Sequence, residues 1–191
     1  MTRRSKAVGR HAPSRAIKSA YEEALEPVRL ELETDAHWRN HPGLCRDRNS
    51  NSPAVHLAVF VEPYLSWLLE GKKTVESRFA SRRFAPYEQA AKGDVVLLKR
   101  TGGPVVGIFA VAEAWFYRLD PDAWDLITTR FAKAICPAGP EFWEERRRAT
   151  YATLLRVEHV RRLNPILFPK RDRRGWAVLA PRLHFSQPAL L

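Results

Sequence analysis

The sequence predicts an α+β protein: a small, mixed, partly closed β-barrel with helices on its surface, plus an N-terminal basic tail and helix. Three observations carry that prediction. Short apolar runs bounded by turn residues recur from Ala54 to Leu179. One of them, Val105 to Tyr117, is long enough to suit a bent strand wrapping a barrel. Five or six strands and four helices can be placed, without the strand–helix alternation of a parallel doubly wound sheet.

The elements follow in chain order. Residues 1–13 carry no apolar periodicity and read as a disordered basic tail. Residues 14–40 form a helical extension, in which Ile17, Tyr21, Leu25, Val28 and Leu32 recur on one helix face. Pro27 lies inside that pattern and predicts a kink or restart. The stripe suits a helix that covers the core or pairs with another copy of the chain. His41-Pro42-Gly43 and the Asn49–Pro53 stretch punctuate a linker over 41–53, and the barrel domain spans 54–184.

Within the barrel, Val55 to Val61 reads as a buried strand. Pro63 opens a helix through Leu69 that stops at Gly71. Lys73 to Phe79 is extended, with Val75 on one face and Thr74, Glu76 and Arg78 on the other. A polar stretch from Ser81 to Lys92 leads to Gly93-Asp94, a turn into the strand Val95–Leu98. Gly102-Gly103-Pro104 turns into the long strand at Val105. Asp120-Pro121 is a cap and first-turn proline for a helix to about Ala134. A second helix is predicted from Pro140 to Arg148, then a strand from Thr153 to Leu163, a loop from Pro165 to Arg174, and a last strand from Trp176 to Leu179.

Composition bounds the function. The chain has 191 residues, 45% of them hydrophobic and 28% charged, as in an ordinary globular domain. Its formal charge is +11, with a pI near 10.2. That charge favours polyanionic partners, nucleic acid above all, with RNA preferred and DNA as the alternative. Residues 1–20 hold +6, residues 21–52 hold −3 and the rest +8. Cys45 and Cys136 are too few for a disulfide scaffold or a four-cysteine zinc site. His56, His159 and His184 show no metal-ligand spacing, so no metal site is predicted. No apolar run approaches the roughly 18 residues that span a bilayer, and the basic N-terminus has no apolar stretch behind it. A cytoplasmic protein with no membrane partner is expected. No glycine loop of the Walker or dinucleotide type occurs, and no cofactor is expected.

Gly71-Lys72-Lys73-Thr74-Val75-Glu76-Ser77-Arg78 is the segment richest in chemistry. Glu76 and Arg78 lie two apart on a strand and share a face, with Lys73 at its mouth. Three ionisable groups so placed must pair with one another or meet a polar ligand. By spacing alone, a surface Glu–Arg pair of little energetic worth fits equally well.

This segment resembles the G-x-K-x-x-E-x-R motif of the ASCH (activating signal cointegrator homology) family, a branch of the PUA-like β-barrels. Pro63-Tyr64 before the motif, Gly93-Asp94 and Val105-Val106-Gly107 after it, and Lys170–Trp176 at the end stand in the family's order, so the resemblance covers about residues 54–180. It implies a PUA-like barrel whose cleft binds RNA or a modified nucleoside, with Lys73, Thr74, Glu76, Arg78 and Arg173 as ligand-binding residues. Some members are enzymes, with ribonuclease or acetylcytidine amidohydrolase activity. In the amidohydrolase branch a lysine works with a threonine three residues on; here Lys73 matches and Glu76 replaces the threonine. As an enzyme, the protein would use Lys73 and Glu76 as an acid/base pair, and a divalent metal would enter only with a nuclease.

Arg82, Arg83, Lys170, Arg171 and Arg174 are predicted to contact nucleic acid, and Arg146-Arg147-Arg148 and Arg161-Arg162 add further positive charge. Phe79, Phe84, Tyr87, Trp115 and Phe116 are candidates for base stacking, although most of the six tryptophans belong to the core. A third reading, from another class, is a protein-interaction adaptor that docks through the N-terminal helix.

Overall fold

The computed structural model describes residues 15–49, 51–169 and 174–182. Six strands form one sheet: β1 (Val55–Phe60), β2 (Val75–Ala80), β3 (Val95–Arg100), β4 (Val105–Arg118), β5 (Tyr151–Ile166) and β6 (Trp176–Ala180). Their order is β2-β5-β4-β3-β1-β6, curled into a half-barrel whose ends, β2 and β6, do not pair with each other. Only β1 and β3 run parallel; the other neighbours are antiparallel. The curl originates in β4 and β5, whose pairing shifts register three times along its length. Each irregularity bends and twists the ribbon. At one of them His159 adopts a left-handed backbone, φ 50°.

The centre of the sheet, β1, β3 and the first part of β4, is buried on both faces, which explains its continuous apolar runs. In β3, Val95 and Leu97 pack on one face, and Val96 and Leu98 on the other. The first face is covered by α1 (Arg15–Leu32), whose Leu25, Val28 and Leu32 are fully buried against Val55, Leu57, Val95 and Leu97. The helical stripe therefore covers the chain's own core. The helix continues through Pro27 without restarting: Leu25 and Val28, packed on either side of the proline, hold it to the sheet. Trp38 and Leu44 join the same cluster, and Arg48 donates to the carbonyls of Gly43, Pro53 and Pro181. Residues 41–49 and 51–53 thus lie against the body.

Helix α2 (Tyr64–Leu69) ends as predicted at Gly71, φ 75°. Gly71 N–H donates to Leu68 O and Lys72 N–H to Trp67 O, the paired bonds of a glycine-terminated helix. Asp120 caps the next helical stretch by accepting from Ala123 N–H at 2.8 Å. That stretch comprises α3 (Pro121–Leu126), a wide π-helical turn (Ile127–Phe131) and α4 (Ala132–Ile135). Helix α5 is one turn, Glu141–Glu144, shorter than the predicted 140–148. Phe142 O, which would accept the next helical bond, is taken at 2.7 Å by the Arg146 guanidinium, and Arg146 N–H turns to Trp143 O instead. Strand β5 extends two residues before and three beyond its predicted limits, crossing Pro165.

Candidate functional site

The seam between the two ends of the half-barrel contains the motif residues. Lys73 leaves the end of α2 and is 2% exposed. Its ammonium donates to Ile135 O at 2.8 Å and lies 3.5 Å from the Glu76 carboxylate. Ile135 O is available because the helix stops there: Cys136 takes a left-handed conformation, φ 56°. A helix C-terminus also favours a cation. Burial lowers the Lys73 pKa from its ordinary value; the charge and hydrogen bond of Glu76 oppose that, and the Arg78 charge adds to it.

Glu76, 4% exposed, stands between two cations. Arg78 Nε donates to it at 2.6 Å. The rest of the guanidinium crosses the seam, with Nη2 donating to Val59 O at 3.0 Å and Nη1 to Gly175 O at 3.3 Å. Its plane is held between Phe60 and Trp176, whose ring centres are 4.8 and 5.2 Å away. A side chain thus fastens β2 to β1 where no backbone ladder does.

Behind Trp176 lies a buried polar group that no residue spacing in the sequence marks. His56 is fully buried and bonded to Trp176 on one side and to Asp94 on the other. Burial alone would raise the Asp94 pKa, but the hydrogen bond from His56, the N–H of Ala91 and the charge of Arg182 hold it below the usual carboxylate range. Asp94 also accepts from Ala54 N–H at 2.7 Å. The Gly93-Asp94 turn is therefore a fastening point for β1 and for the segment entering β3.

Two cavities open along the seam with Arg78 as their common wall. The first, about 240 Å³, is bordered by Tyr64, Lys73, Glu76, Arg78, Phe142 and Arg146. The second, about 180 Å³, is bordered by Arg78, Phe79, Phe84, Tyr87, Tyr151 and Trp176, with Phe79 common to both. Lys73, Glu76 and Arg78 are thus brought together, whereas Thr74 precedes β2, is exposed and borders neither cavity. Tyr64, Phe142 and Arg146 complete the first cavity from distant parts of the chain; the arginine triplet was the visible trace of the last. Of the proposed stacking residues, Phe79, Phe84 and Tyr87 border the cavities. Trp115 packs on Phe131, and Phe116 meets the edge of Tyr87.

The predicted nucleic-acid contacts divide. Arg82 is exposed; Arg83 is exposed and lies over the Tyr87 and Tyr151 rings. Arg174 is exposed beside Gly175. Lys170, Arg171 and Arg173 lie outside the described residues. Among the described residues, no group of three His, Cys, Asp or Glu side chains is placed to hold a metal ion. No helix of the described residues is long and apolar enough to cross a membrane.

No protein-family model matches the sequence, and no curated protein does. Likeness to known proteins comes from solved structures. A point-mutant form of the ASCH protein of Zymomonas mobilis superposes with a TM-score of 0.53 at 13% identity, over 65% of this chain and 87% of that one. The parent form gives 0.49 at 13% identity, over 62% and 75%, and a second point mutant gives 0.49 at 16%, over 59% and 75%. The fold is ASCH-like, a curled six-strand half-barrel.

Proposed function

We propose that the seam cleft is a binding site for RNA or a nucleoside. The observation that carries this is the Lys73–Glu76–Arg78 array at the wall of a ring-sized cavity. With Arg146, three cations face one carboxylate there. Such a site takes a phosphate or a base carbonyl on the cations. Glu76 accepts an exocyclic amine or holds Lys73, while Phe79 and Phe142, packed edge to face, give a flat ring an aromatic wall on one side. The chain's +11 charge adds sequence-independent attraction.

One observation favours a second reading, in which the same array turns RNA or an acylated base over. Burial lowers the Lys73 pKa from its ordinary value, the direction an acid/base lysine needs, and Glu76 is its partner.

A single gel separates the two. Labelled single-stranded RNA is incubated with wild type, Lys73→Met and Arg78→Ala, with and without EDTA, after circular dichroism confirms that each variant is folded. The binding reading expects an intact, shifted band that weakens with Arg78→Ala. Fragments that vanish with Lys73→Met would establish turnover instead, and the EDTA lanes would show whether it needs a metal. No shift and no cleavage at low salt would overturn the RNA reading.

A further inference from the structure

Resting on that reading, we infer that the ligand is single-stranded RNA of at least two nucleotides, one seated in each cavity, with their linking phosphate over Arg78. The cavities measure about 240 and 180 Å³. Each is smaller than the roughly 300–1,000 Å³ that encloses a drug-sized ligand, so each suits one ring system and neither holds a dinucleotide. They are contiguous, because Arg78 and Phe79 border both. A chain filling the first cavity is thereby led across Arg78 into the second.

The chemistry of the second cavity differs from that of the first. Its wall includes Phe84, Tyr87, Tyr151 and Trp176, and among the described residues its only charged lining residue is Arg78. Phe84 stands on its border 61% exposed, although the rest of the aromatic wall is largely buried. A partly built aromatic box with an uncovered ring is suited to a flat π-face. Because every base has one, the subsite does not depend on base identity. Arg83, stacked over Tyr87 and Tyr151, and Arg82 beside it place positive charge where the strand leaves. Among the described residues Arg78 engages three N–H bonds, to Glu76, Val59 and Gly175. A guanidinium has five, so two remain for the phosphate. Bases paired within a duplex cannot enter either cavity, which restricts the ligand to an unpaired strand.

The test compares uridylates and adenylates of one, two and six nucleotides, with affinities read by anisotropy of a labelled hexamer and by competition. In wild type the second nucleotide should raise affinity roughly 10- to 100-fold, the value of one stacked base. Phe84→Ala, at an exposed position where folding loses little, should erase most of that gain. Phe84→Tyr should restore it. An equal gain in Phe84→Ala, or no gain from the second nucleotide in wild type, overturns the two-cavity assignment while leaving a single-nucleotide cleft intact. Absence of binding at every length removes the underlying reading and this one with it.

Discussion

The indole N–H of Trp176 donates to Nδ1 of His56 at 3.1 Å. Because Nδ1 is the acceptor, neutral His56 carries its proton on Nε2 and donates it to Asp94 at 3.2 Å. The face of the same indole supports Arg78. A continuous set of contacts therefore runs from Asp94, which fastens the sheet, through His56 and Trp176 to Arg78, Glu76 and Lys73 in the cleft.

That relationship makes Trp176→Phe informative. The substitution keeps an aromatic face for Arg78 but leaves the fully buried Nδ1 of His56 without a donor. An unsatisfied buried acceptor costs about 1–3 kcal/mol. In a domain of this size that corresponds to a fall in Tm of roughly 2–12 °C by scanning calorimetry. A change under about 1 °C would show that the bond contributes nothing to the fold.

The buried array predicts unequal costs for its members. Lys73→Met leaves Glu76 paired with Arg78 at 2.6 Å and replaces one long stem with another. Glu76→Leu leaves Lys73 buried beside Arg78 with no carboxylate. Removing one partner from a buried ion pair costs about 3–5 kcal/mol, and losing one hydrogen bond about 1–3. Urea unfolding should therefore rank Glu76→Leu below Lys73→Met by about 2 kcal/mol. Equal losses would mean that Arg78 does not compensate for Lys73.

Local signals carried far in this chain. Gly71 marked the helix stop, Asp120 the helix cap, and the G-x-K-x-x-E-x-R spacing placed Lys73, Glu76 and Arg78 together. Partners distant in sequence left no such trace. Ile135, which accepts from Lys73, is 62 residues away, and Trp176 is 120 from His56. Strand alternation placed Thr74 with Glu76, but β2 begins at Val75, so the rule stops one residue short. The α5 helix was overpredicted because propensity could not reveal that Arg146 takes Phe142 O for its side chain.

Gly107 is predicted to tolerate no side chain. A Cβ there would lie 2.6 Å from Leu69 Cδ2, 3.1 Å from Leu98 Cδ1 and 3.1 Å from the backbone oxygen of Arg161. The two leucine methyls can rotate away; the β5 carbonyl cannot move without disturbing its ladder. Gly107→Ala should cost about 1–3 kcal/mol by overpacking, seen as a lower urea midpoint. Because Leu69 ends the helix that delivers Lys73, RNA affinity should fall as well. An unchanged midpoint would show that β4 and β5 separate readily at this crossing.

Acid should loosen the N-terminal cover through His41. This side chain is buried, accepts from Gly43 N–H through Nδ1 at 3.2 Å, and lies 5.4 Å from His37, which stacks on His159. Burial, then the charges of His37 and His159, push its pKa from 6.5 down to about 4. As pH falls from 6.5 toward 4, the unfolded chain takes up a proton that the folded one refuses, so stability present above pH 6.5 is lost in that window. The loss attributable to His41 is about 2–3 kcal/mol by pH 4.5. His37, also lowered by burial, adds to it, with Asp35 and Glu158 opposing. Asp35, Asp94 and Glu62 have pKa values held below the ordinary carboxylate range, so their contributions are lost at lower pH. His41→Asn retains an acceptor for Gly43 N–H and does not titrate. Urea unfolding at pH 7 and pH 4.5 should show the variant losing at least about 1 kcal/mol less than wild type; parallel losses would mean that His41 titrates in the fold as it does in the open chain.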